Sequence, residues 1–324
     1  MKDLYFEYSY AKLYEKAEKG VAKTFEFNSS DGNIRSLFIL RPIPNMEPYY
    51  DIVTPYGYGG PYINKVSGDK ERLIKEYGEA FKDFCYKNHI VSEFVRFHPL
   101  FNNAQDFSKI YDVTAIRNTI GTNLKDYENP IQEEFSKSCK KNIRRAIKDG
   151  VTYKVTYQPD NIDSFKNIYY STMNRNNAED YYYFDDEYFN LCMRYFKKNI
   201  VFVEALFEEK TIAAGLYFVS DKNIHIHLSG TLSEYLYLSP AYILRYAITL
   251  WGKEHNYEMI HHGGGRSNSA EDNLYLFKKQ FGKNTEFSFC VGKKIWNEEI
   301  YKELCQRVGV EYNREFFPAY RMKL

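Results

Sequence analysis

The sequence is poor in cysteine, lacks long apolar runs and has almost no excess of charge of either sign. Its five cysteines are scattered and never spaced as CxxC, so the sequence predicts neither a disulfide framework nor a zinc knuckle. No stretch is apolar enough for a signal peptide or a membrane span. We therefore expect a cytoplasmic protein with reduced thiols and no integral membrane segment.

The charges nearly balance, since 44 lysines and arginines face 43 acids and the formal net charge is +1. Such a chain has no general attraction for nucleic acid or an anionic membrane, so any polyanion must be held by a local patch. At 324 residues and 44% hydrophobic, the chain is long enough for two domains, each with its own core.

Hydrophobic periodicity divides the chain into two similar halves. The first half contains two strands, a glycine-rich loop, a helix and a strand, at residues 35–40, 50–54, 56–61, 70–87 and 91–98. The second half contains three strands, a helix opened by Ser239-Pro240 and a strand, at residues 200–207, 212–219, 224–229, 241–253 and 257–262. We place the domains at residues 1–150 and 151–324, and the shared order of elements indicates an ancient duplication.

A basic helix is predicted over residues 130–150 and connects the two halves. Its apolar stripe contains Ile131, Phe135, Cys139, Ile143, Ala146 and Ile147. Its flanks carry Lys137, Lys140, Lys141, Arg144, Arg145 and Lys148. These cations favour a phosphate-binding surface for tRNA or a nucleotide diphosphate, with Arg144 and Arg145 as candidates. The alternative is a solvated helix face whose cations suit the helix C-terminus.

One lysine lies within an apolar stripe of the second half. A short helix is predicted over residues 272–281, capped by Ser269 with Asp272 three residues on. Its apolar stripe is formed by Leu274, Phe277 and Phe281. Lys278 points about 40° from Leu274, within that stripe. It needs an anion or a carbonyl to hold it, unless its stem covers apolar surface while the ammonium reaches water.

The glycine-rich loop at residues 56–61 and the strand after it offer polar contacts in the first half. Glycines allow positive φ and close approach of a ligand to main-chain amides. The candidate ligand contacts of the loop are Tyr56, Tyr58, Gly59 and Gly60. Strand alternation puts Arg96 and His98 on one face, where both could meet an acidic substrate group. The loop is equally typical of a tight structural turn.

Four motifs of the second half follow one another in order: a strand ending in HLSG, a helix, the triple glycine 263–265 and the segment LxxFKxxF. This order resembles the C-terminal acyltransferase domain of the Fem family and its broader relatives. The resemblance extends to the YGYGGP loop, to RFHP at residues 96–99 and to RRA at residues 144–146. It implies an α/β (α+β) fold of two tandem GNAT-like domains, with mixed sheets flanked by helices and a shared cleft.

The resemblance also implies an enzyme, an acyltransferase that N-acylates an amine of a cell-envelope precursor or related amino sugar. The best-known relatives transfer amino acids from aminoacyl-tRNA to a nucleotide- or lipid-linked peptidoglycan precursor. No tightly bound cofactor is implied, and the donor co-substrate is aminoacyl-tRNA or acyl-CoA. In the family the lysine of the Phe-Lys pair belongs to the donor region, which makes Phe277 a candidate substrate contact and Lys278 a candidate catalytic residue.

Acyl transfer to an amine needs a proton acceptor and a group that stabilises the developing oxyanion. The candidate proton acceptors are His227, His262, Glu204 and Asp272. His225 and His227 share one strand face, and His261 and His262 end the next strand. Their spacing matches no common zinc pattern, so no metal site is predicted.

The second half lacks the Arg/Gln-x-x-Gly-x-Gly/Ala loop with which GNAT enzymes hold the pyrophosphate of acyl-CoA at a helix N-terminus. Residues 230–240 contain one glycine and one acid instead. This difference favours aminoacyl-tRNA as the donor. Two alternatives stay open: an acyl-CoA-dependent N-acetyltransferase of glycan biosynthesis, and a non-catalytic module that keeps the binding groove.

Overall fold

The computed structural model describes residues 3–312 and 316–323. Its strands, in chain order, are β1 Val21–Ser29, β2 Gly32–Pro42, β3 Tyr50–Val53, β4 Tyr62–Val66, β5 Ile90–Arg96, β6 Asp112–Asn123, β7 Thr152–Tyr157, β8 Ile200–Phe207, β9 Lys210–Ser220, β10 Asn223–Thr231, β11 Met259–Gly264 and β12 Glu286–Ile295. Its α-helices are α1 Tyr8–Lys12, α2 Lys70–Lys87, α3 Asn103–Asp106, α4 Pro130–Glu134, α5 Lys137–Lys148, α6 Asp163–Arg175, α7 Asp186–Phe196, α8 Pro240–Glu254, α9 Asn273–Lys279 and α10 Glu298–Arg307.

The chain divides into two compact units. The first unit contains Tyr5–Ile116 and Ser288–Leu324, and the second contains Met1–Leu4 and Arg117–Phe287. This division differs from the predicted boundary at residue 150 for two reasons. The pairing of β12 with β5 returns the C-terminal segment to the first unit, and the basic helix α5 packs on α8 inside the second unit.

Strands in the first unit follow the order β1-β2-β3-β5-β12, with β4 paired to β2. The β3 and β5 pair is parallel and the others are antiparallel, so the arrangement is mixed as predicted. Helix α2 has the predicted bounds, and the side chain of Asp69 caps it by accepting from the Arg72 N–H at 3.0 Å. Its apolar face packs into the core with Leu73, Ile74, Tyr77, Phe81 and Cys85 buried.

Strands in the second unit follow the order β6-β11-β10-β9-β8-β7. The β10 and β11 pair is parallel, and the remaining pairs with a defined register are antiparallel. Helix α8 packs on β7, β8 and β9, while α6 packs on β9 and β10. The core of this unit is aliphatic and aromatic, and it includes Tyr217 and Phe281, neither of which has exposed surface.

Each unit contains the same crossover. In the first, α2 follows β3 and β4 and precedes β5, which is parallel to β3. In the second, α8 follows β10 and precedes β11, which is parallel to β10. Because parallel neighbours require a long connection, a helix joins them in both units. The matching order supports the duplication inferred from the sequence.

The predicted single helix over residues 130–150 is wrong, because the chain breaks between α4 and α5. Phe135 has an extended conformation with ψ of 135°, and Ser136 caps α5 by accepting from the Cys139 N–H at 3.1 Å. The apolar side chains of Phe135, Cys139, Ile143 and Ala146 are nevertheless buried as predicted. Ile147, placed on the same stripe, is 46% exposed.

No α-helix in the described part of the chain combines the length and apolar character needed to cross a bilayer. All five cysteines fall in that part, and each is a free thiol.

A carboxylic acid is buried in the core of the first unit. The side chain of Glu93 is only 4% exposed, and its Oε2 accepts from the Tyr111 hydroxyl at 3.1 Å and the Trp296 indole N–H at 3.2 Å. Burial raises the pKa of Glu93 to about 8, although both hydrogen bonds oppose the rise. The carboxyl is therefore protonated in the folded protein at neutral pH.

Glu93→Gln is expected to remove a pH dependence from the stability. In the wild type, the folded state keeps a proton that the unfolded chain releases above its ordinary pKa of about 4.3. The stabilisation is complete below that pH and is lost as the pH rises to about 8, by at most about 1.4 kcal/mol per pH unit. Urea titrations at several pH values should show the wild type losing stability relative to Glu93→Gln.

Glu79→Gln is the matched control, because Glu79 lies on α2 with an exposed side chain. Its profile should follow the wild type. If the free energy of unfolding changed with pH in the same way in Glu93→Gln and the wild type, the burial of a protonated acid would be contradicted.

Candidate functional site

The segment after β11 folds around Asp272, which brings α9 back against the end of that strand. Asp272 is the N-cap of α9, where its Oδ1 accepts from the Tyr275 N–H at 2.9 Å. The predicted cap at Ser269 is therefore wrong. Asp272 Oδ2 also accepts from the N–H groups of Arg266 and Ser267, so this carboxylate organises the turn as well as the helix.

Lys278 is held by a main-chain carbonyl. Its Nζ donates to the Gly264 carbonyl oxygen at 2.6 Å, so the ammonium is fixed at the end of β11. Burial, together with the charges of Arg245 and Arg117 and against an opposing effect of Asp272, lowers the pKa of Lys278 to about 7. The sequence left open whether a carbonyl or water receives this ammonium, and the structure shows the carbonyl.

Arg245 on α8 belongs to the same electrostatic cluster and was missed by the sequence analysis. It is 4% exposed, and its Nη1 donates to the Tyr217 hydroxyl at 2.6 Å while Nη2 donates to Ser229 Oγ at 3.3 Å. Within the described residues, no carboxylate lies at ion-pair distance from Arg245 or Lys278, and Arg245 Nε has no hydrogen-bond partner. Two cations with only neutral partners fit an anionic group or a negative charge that forms during a reaction.

A sequence signal for Arg245 did exist. It is the only charged residue in the helical segment PAYILRYAITLWG. A lone charge among apolar residues, on a helix that packs against a sheet, costs free energy to bury unless it is paired. Its presence therefore indicates a functional role.

His262 lies next to these cations as a neutral imidazole. It is 1% exposed, and its Nε2 lies 2.8 Å from Thr122 Oγ1. The Thr122 hydroxyl donates its single proton to the Phe281 carbonyl at 2.7 Å, so Nε2–H must be the donor to Thr122. Nδ1 then carries a lone pair, and no described residue bonds to it. Burial lowers the pKa of His262 well below its ordinary value, and the charges of Arg245 and Lys278 add to this.

The other predicted proton acceptors have different environments. His227 Nε2 lies 2.5 Å from the Tyr188 hydroxyl, and burial lowers its pKa to about 3. Among the described residues, no hydrogen bond or ring contact joins His227 to the Lys278 cluster. Hydrogen bonds from the loop hold the pKa of Asp272 at about 2, against the effect of its burial, and both of its oxygens are already engaged as acceptors within the loop. Glu204 accepts from Thr211 at 3.0 Å, and among the described residues no hydrogen bond joins it to this cluster.

Phe277 lies on α9, and Arg144 and Arg145 lie on α5; their contacts with a substrate stay predictions. The Phe277 ring packs against Tyr242 and Phe281, with centroids 5.4 Å and 5.1 Å apart. Arg144 and Arg145 are exposed on α5, where Arg145 lies 3.5 Å from Asp149.

The glycine-rich loop is a tight turn bound to its own unit. Gly57 and Gly60 have φ of 90° and 86°, and a Cβ at Gly60 would lie 2.7 Å from Val95. The Gly59 N–H donates to the Arg96 carbonyl at 2.8 Å, and Asn103 Nδ2 donates to the Gly59 carbonyl at 2.8 Å. The Gly59 amide is thus already used inside the protein. The rings of Tyr56 and Tyr58 at the tip of the loop are half-buried. Contact of these two rings with a ligand stays a prediction.

Arg96 and His98 differ in accessibility. The Arg96 guanidinium is half-buried, donates to the Thr54 carbonyl at 3.0 Å and lies over the Phe94 ring. His98 is 1% exposed, and its Nδ1 accepts from the Leu100 N–H at 3.2 Å. Burial of His98 favours a packing role. A joint contact of Arg96 and His98 with an acidic group stays a prediction. The shared cleft also stays a prediction.

Comparison with known proteins supports the resemblance seen in the motifs. The model of the FemAB family matches residues 105–208. A UDP-N-acetylmuramoylpentapeptide-lysine N(6)-alanyltransferase from Weissella viridescens is 25% identical over 174 residues, covering 52% of this chain and 50% of that protein. The resemblance to the Fem family is confirmed. This Fem-like chain spans about half the length of the curated relative that it matches.

Solved structures show the same fold over most of the Fem-like chain. The crystal structure of FemX has a TM-score of 0.69 at 11% identity and covers 93% of this chain and 94% of its own. L-PGS from Bacillus licheniformis has a TM-score of 0.54 at 15% identity, covering 95% of this chain and 97% of its own. At such identities the likeness concerns the fold alone, and it confirms the predicted α/β class.

Arg245→Met in the Fem-like chain is expected to unfold at the wild-type temperature or above it. The change replaces a buried charge that has no counterion with an apolar side chain of similar length, and relief of that desolvation cost offsets the lost hydrogen bonds to Tyr217 and Ser229. Tyr217→Phe is the contrasting variant, because it keeps the charge and removes its closest hydrogen-bond acceptor. It should lose about 1–3 kcal/mol. Thermal unfolding followed by circular dichroism compares them, and a larger loss for Arg245→Met would contradict an uncompensated charge.

Proposed function

We propose that this Fem-like chain is an N-acyltransferase that moves an aminoacyl group from aminoacyl-tRNA to an amine of a cell-envelope precursor. The observation that carries the proposal is the pair of cations without a carboxylate, Lys278 and Arg245, beside the neutral His262. The Weissella relative is named for transfer of alanyl to the N6 amine of a lysine in a nucleotide-linked pentapeptide. A side-chain amine of a peptide is therefore the acceptor that we propose.

The cluster provides the two groups that the reaction needs. A neutral amine attacks the acyl carbonyl, the C–N bond forms and the carbonyl oxygen gains negative charge, which the Lys278 ammonium stabilises. The attacking nitrogen then loses a proton, for which the Nδ1 lone pair of His262 is the acceptor. The ester C–O bond breaks, and the terminal ribose oxygen of the tRNA leaves with the proton that His262 returns. Amide formation and release of the tRNA complete the balance.

Helix α5 supports an RNA donor. At 100° per residue, Lys137, Lys141, Arg144 and Lys148 lie within about 60° of one another, opposite the buried stripe of the helix. All four side chains are exposed. Residues four apart rise about 6 Å along the axis, so the cations form a line that suits a phosphate backbone.

The same helix begins beside the helix that carries Lys278. The Ser136 N–H donates to the Gln280 carbonyl at 2.8 Å, and Ser138 Oγ donates to Gln280 Oε1 at 3.2 Å. Gln280 directly follows α9. A strand of RNA that follows α5 therefore leads toward the reacting end of the cluster.

The start of α8 is poorly suited to CoA. Pro240 occupies the first turn and has no N–H, and the Ser239 N–H already donates to the Leu236 carbonyl at 3.0 Å. Fewer main-chain amides are therefore left for a pyrophosphate than in a glycine-rich loop. This arrangement supports aminoacyl-tRNA over acyl-CoA.

A transfer assay tests the proposed function. Purified protein is incubated with charged tRNA or with acetyl-CoA, and with a UDP-linked muramoyl pentapeptide that contains lysine as the acceptor. Mass spectrometry should detect an aminoacylated peptide in the reaction with charged tRNA and no acylated peptide in the reaction with acetyl-CoA. Transfer from acetyl-CoA would support the acyl-CoA alternative, and the absence of a product with either donor would contradict the proposal.

Lys278→Met is expected to reduce kcat by roughly 10² to 10³ and to leave the melting temperature near that of the wild type. The change keeps the volume of the stem and removes the charge that stabilises the oxyanion. Lys279→Met is the control on the same helix. Periodicity directs Lys279 toward solvent, and the structure pairs it with Glu286 at the surface instead. Near wild-type transfer by Lys278→Met would exclude this lysine from catalysis.

A further inference from the structure

A small polar cavity lies in the second unit. Its wall includes Gly265, the residue after the glycine whose carbonyl accepts from Lys278. Its volume is about 240 Å³. It is lined by Arg117, Asn118, Gly265, Ser267, Asn268, Ser269, Ala270 and Tyr275. We call it the Arg117 cavity. The proposed reaction does not use this cavity.

The loop around the Arg117 cavity is already ordered by its own contacts. Asp272 Oδ2 accepts from the Arg266 and Ser267 N–H groups at 2.9 Å each and from the Ser267 hydroxyl at 3.0 Å. With Tyr275 bonded to Oδ1, the Asp272 carboxylate is fully engaged by the loop. The cavity is thus preformed, and the Asp272 carboxylate is occupied.

Arg117 provides an unneutralised cation on one wall. Its Nη1 donates to the Gly265 carbonyl at 2.7 Å, and its buried Nε–H has no hydrogen-bond partner. Among the described residues no carboxylate forms an ion pair with Arg117. Glu286 bonds to the Asn118 amide and the Tyr275 hydroxyl, and it is neutralised by Lys279. The Ser267 and Tyr275 hydroxyls already donate to Asp272 and Glu286, so the side chains of Asn268 and Ser269 are the wall groups that can donate to an oxyanion.

Arg117 and Lys278 contact consecutive residues of one strand end, since Lys278 donates to Gly264 and Arg117 to Gly265. The charge of Arg117 is among the causes that lower the pKa of Lys278. A substrate that reacts at Lys278 would therefore place a neighbouring group at this cavity.

We propose that the Arg117 cavity is a subsite for a small oxyanion, a carboxylate or a phosphate group of a substrate. The guanidinium and the surrounding donors bind the oxygens, and the cavity of about 240 Å³ has room for such a group. The proposal rests on the proposed function for its place in the reaction, but anion binding can be measured without transfer. A phosphate would belong to the nucleotide part of a substrate, and a carboxylate to a peptide.

The experiment measures binding of inorganic phosphate and of acetate to the whole chain at low salt by calorimetry. The wild type should bind one of the two anions, and the preferred anion identifies the source. Arg117→Met should weaken that binding about tenfold or more, because it removes a charged hydrogen-bond donor. Arg117→Lys, which keeps the charge, should retain part of it.

Arg266→Met is the matched control, because this side chain is exposed on the same loop and only its main-chain N–H bonds to Asp272. It should bind like the wild type. Lys278→Met should also keep anion binding, which separates this subsite from the Lys278 and Arg245 pair. Melting temperatures without anion confirm that each variant is folded.

Three results would overturn the proposal: no binding of either anion to the wild type, equal binding to the wild type and Arg117→Met, or loss of binding in Lys278→Met but not in Arg117→Met. None of them depends on whether acyl transfer is detected.

Discussion

The unbalanced positive charge of Arg245 and Lys278 is the constraint on which the candidate site depends. Neither cation has a carboxylate at ion-pair distance among the described residues, and both are held by neutral oxygens. Such an arrangement costs folding free energy that an apolar pair would not cost. It is maintained because α8, β11 and α9 are fixed by a well-packed aliphatic and aromatic core. The cost is consistent with selection for a ligand or reaction that supplies negative charge.

The same charge determines the protonation of the neighbouring groups. Burial and Arg245 together lower the pKa of Lys278 to about 7, so its charge responds to any anion that binds nearby. His262 is kept neutral, and the contact of its Nε2–H with Thr122 leaves Nδ1 as an acceptor. A cation and a neutral imidazole with an unprotonated nitrogen therefore occur together, and the proposed reaction uses this pair. Acyl transfer to an amine needs this combination.

Much of the site could be predicted from local sequence, and its partners could not. Lys278 was identified by helical periodicity, because a single segment contains both the apolar stripe and the lysine that interrupts it. The sequence marks Arg245 only as the lone charge in an apolar helical segment, and its burial depends on the packing of α8 against β7, β8 and β9. The tautomer of His262 depends on Thr122, which lies 140 residues away in the chain. Such distant contacts leave no local pattern.

The fold shows the same limit. Strand and helix positions followed from periodicity, and α2 was predicted with its observed bounds. The unit boundary was misplaced because the pairing of β12 with β5 joins residues about 200 positions apart, as shown by Val291 opposite Arg96. The break before α5 depends on Ser136, whose capping role is hidden inside a continuous apolar stripe.

The most direct test of the account is the pKa of Lys278 in the free protein. Lysines labelled with ¹³C are titrated from pH 5 to 11 by nuclear magnetic resonance, and Lys278→Met assigns the signal. The account predicts that this lysine titrates near pH 7 and that the value rises when an anionic ligand binds. An ordinary value of about 10.4, unchanged by such a ligand, would contradict the uncompensated charge at the centre of the site.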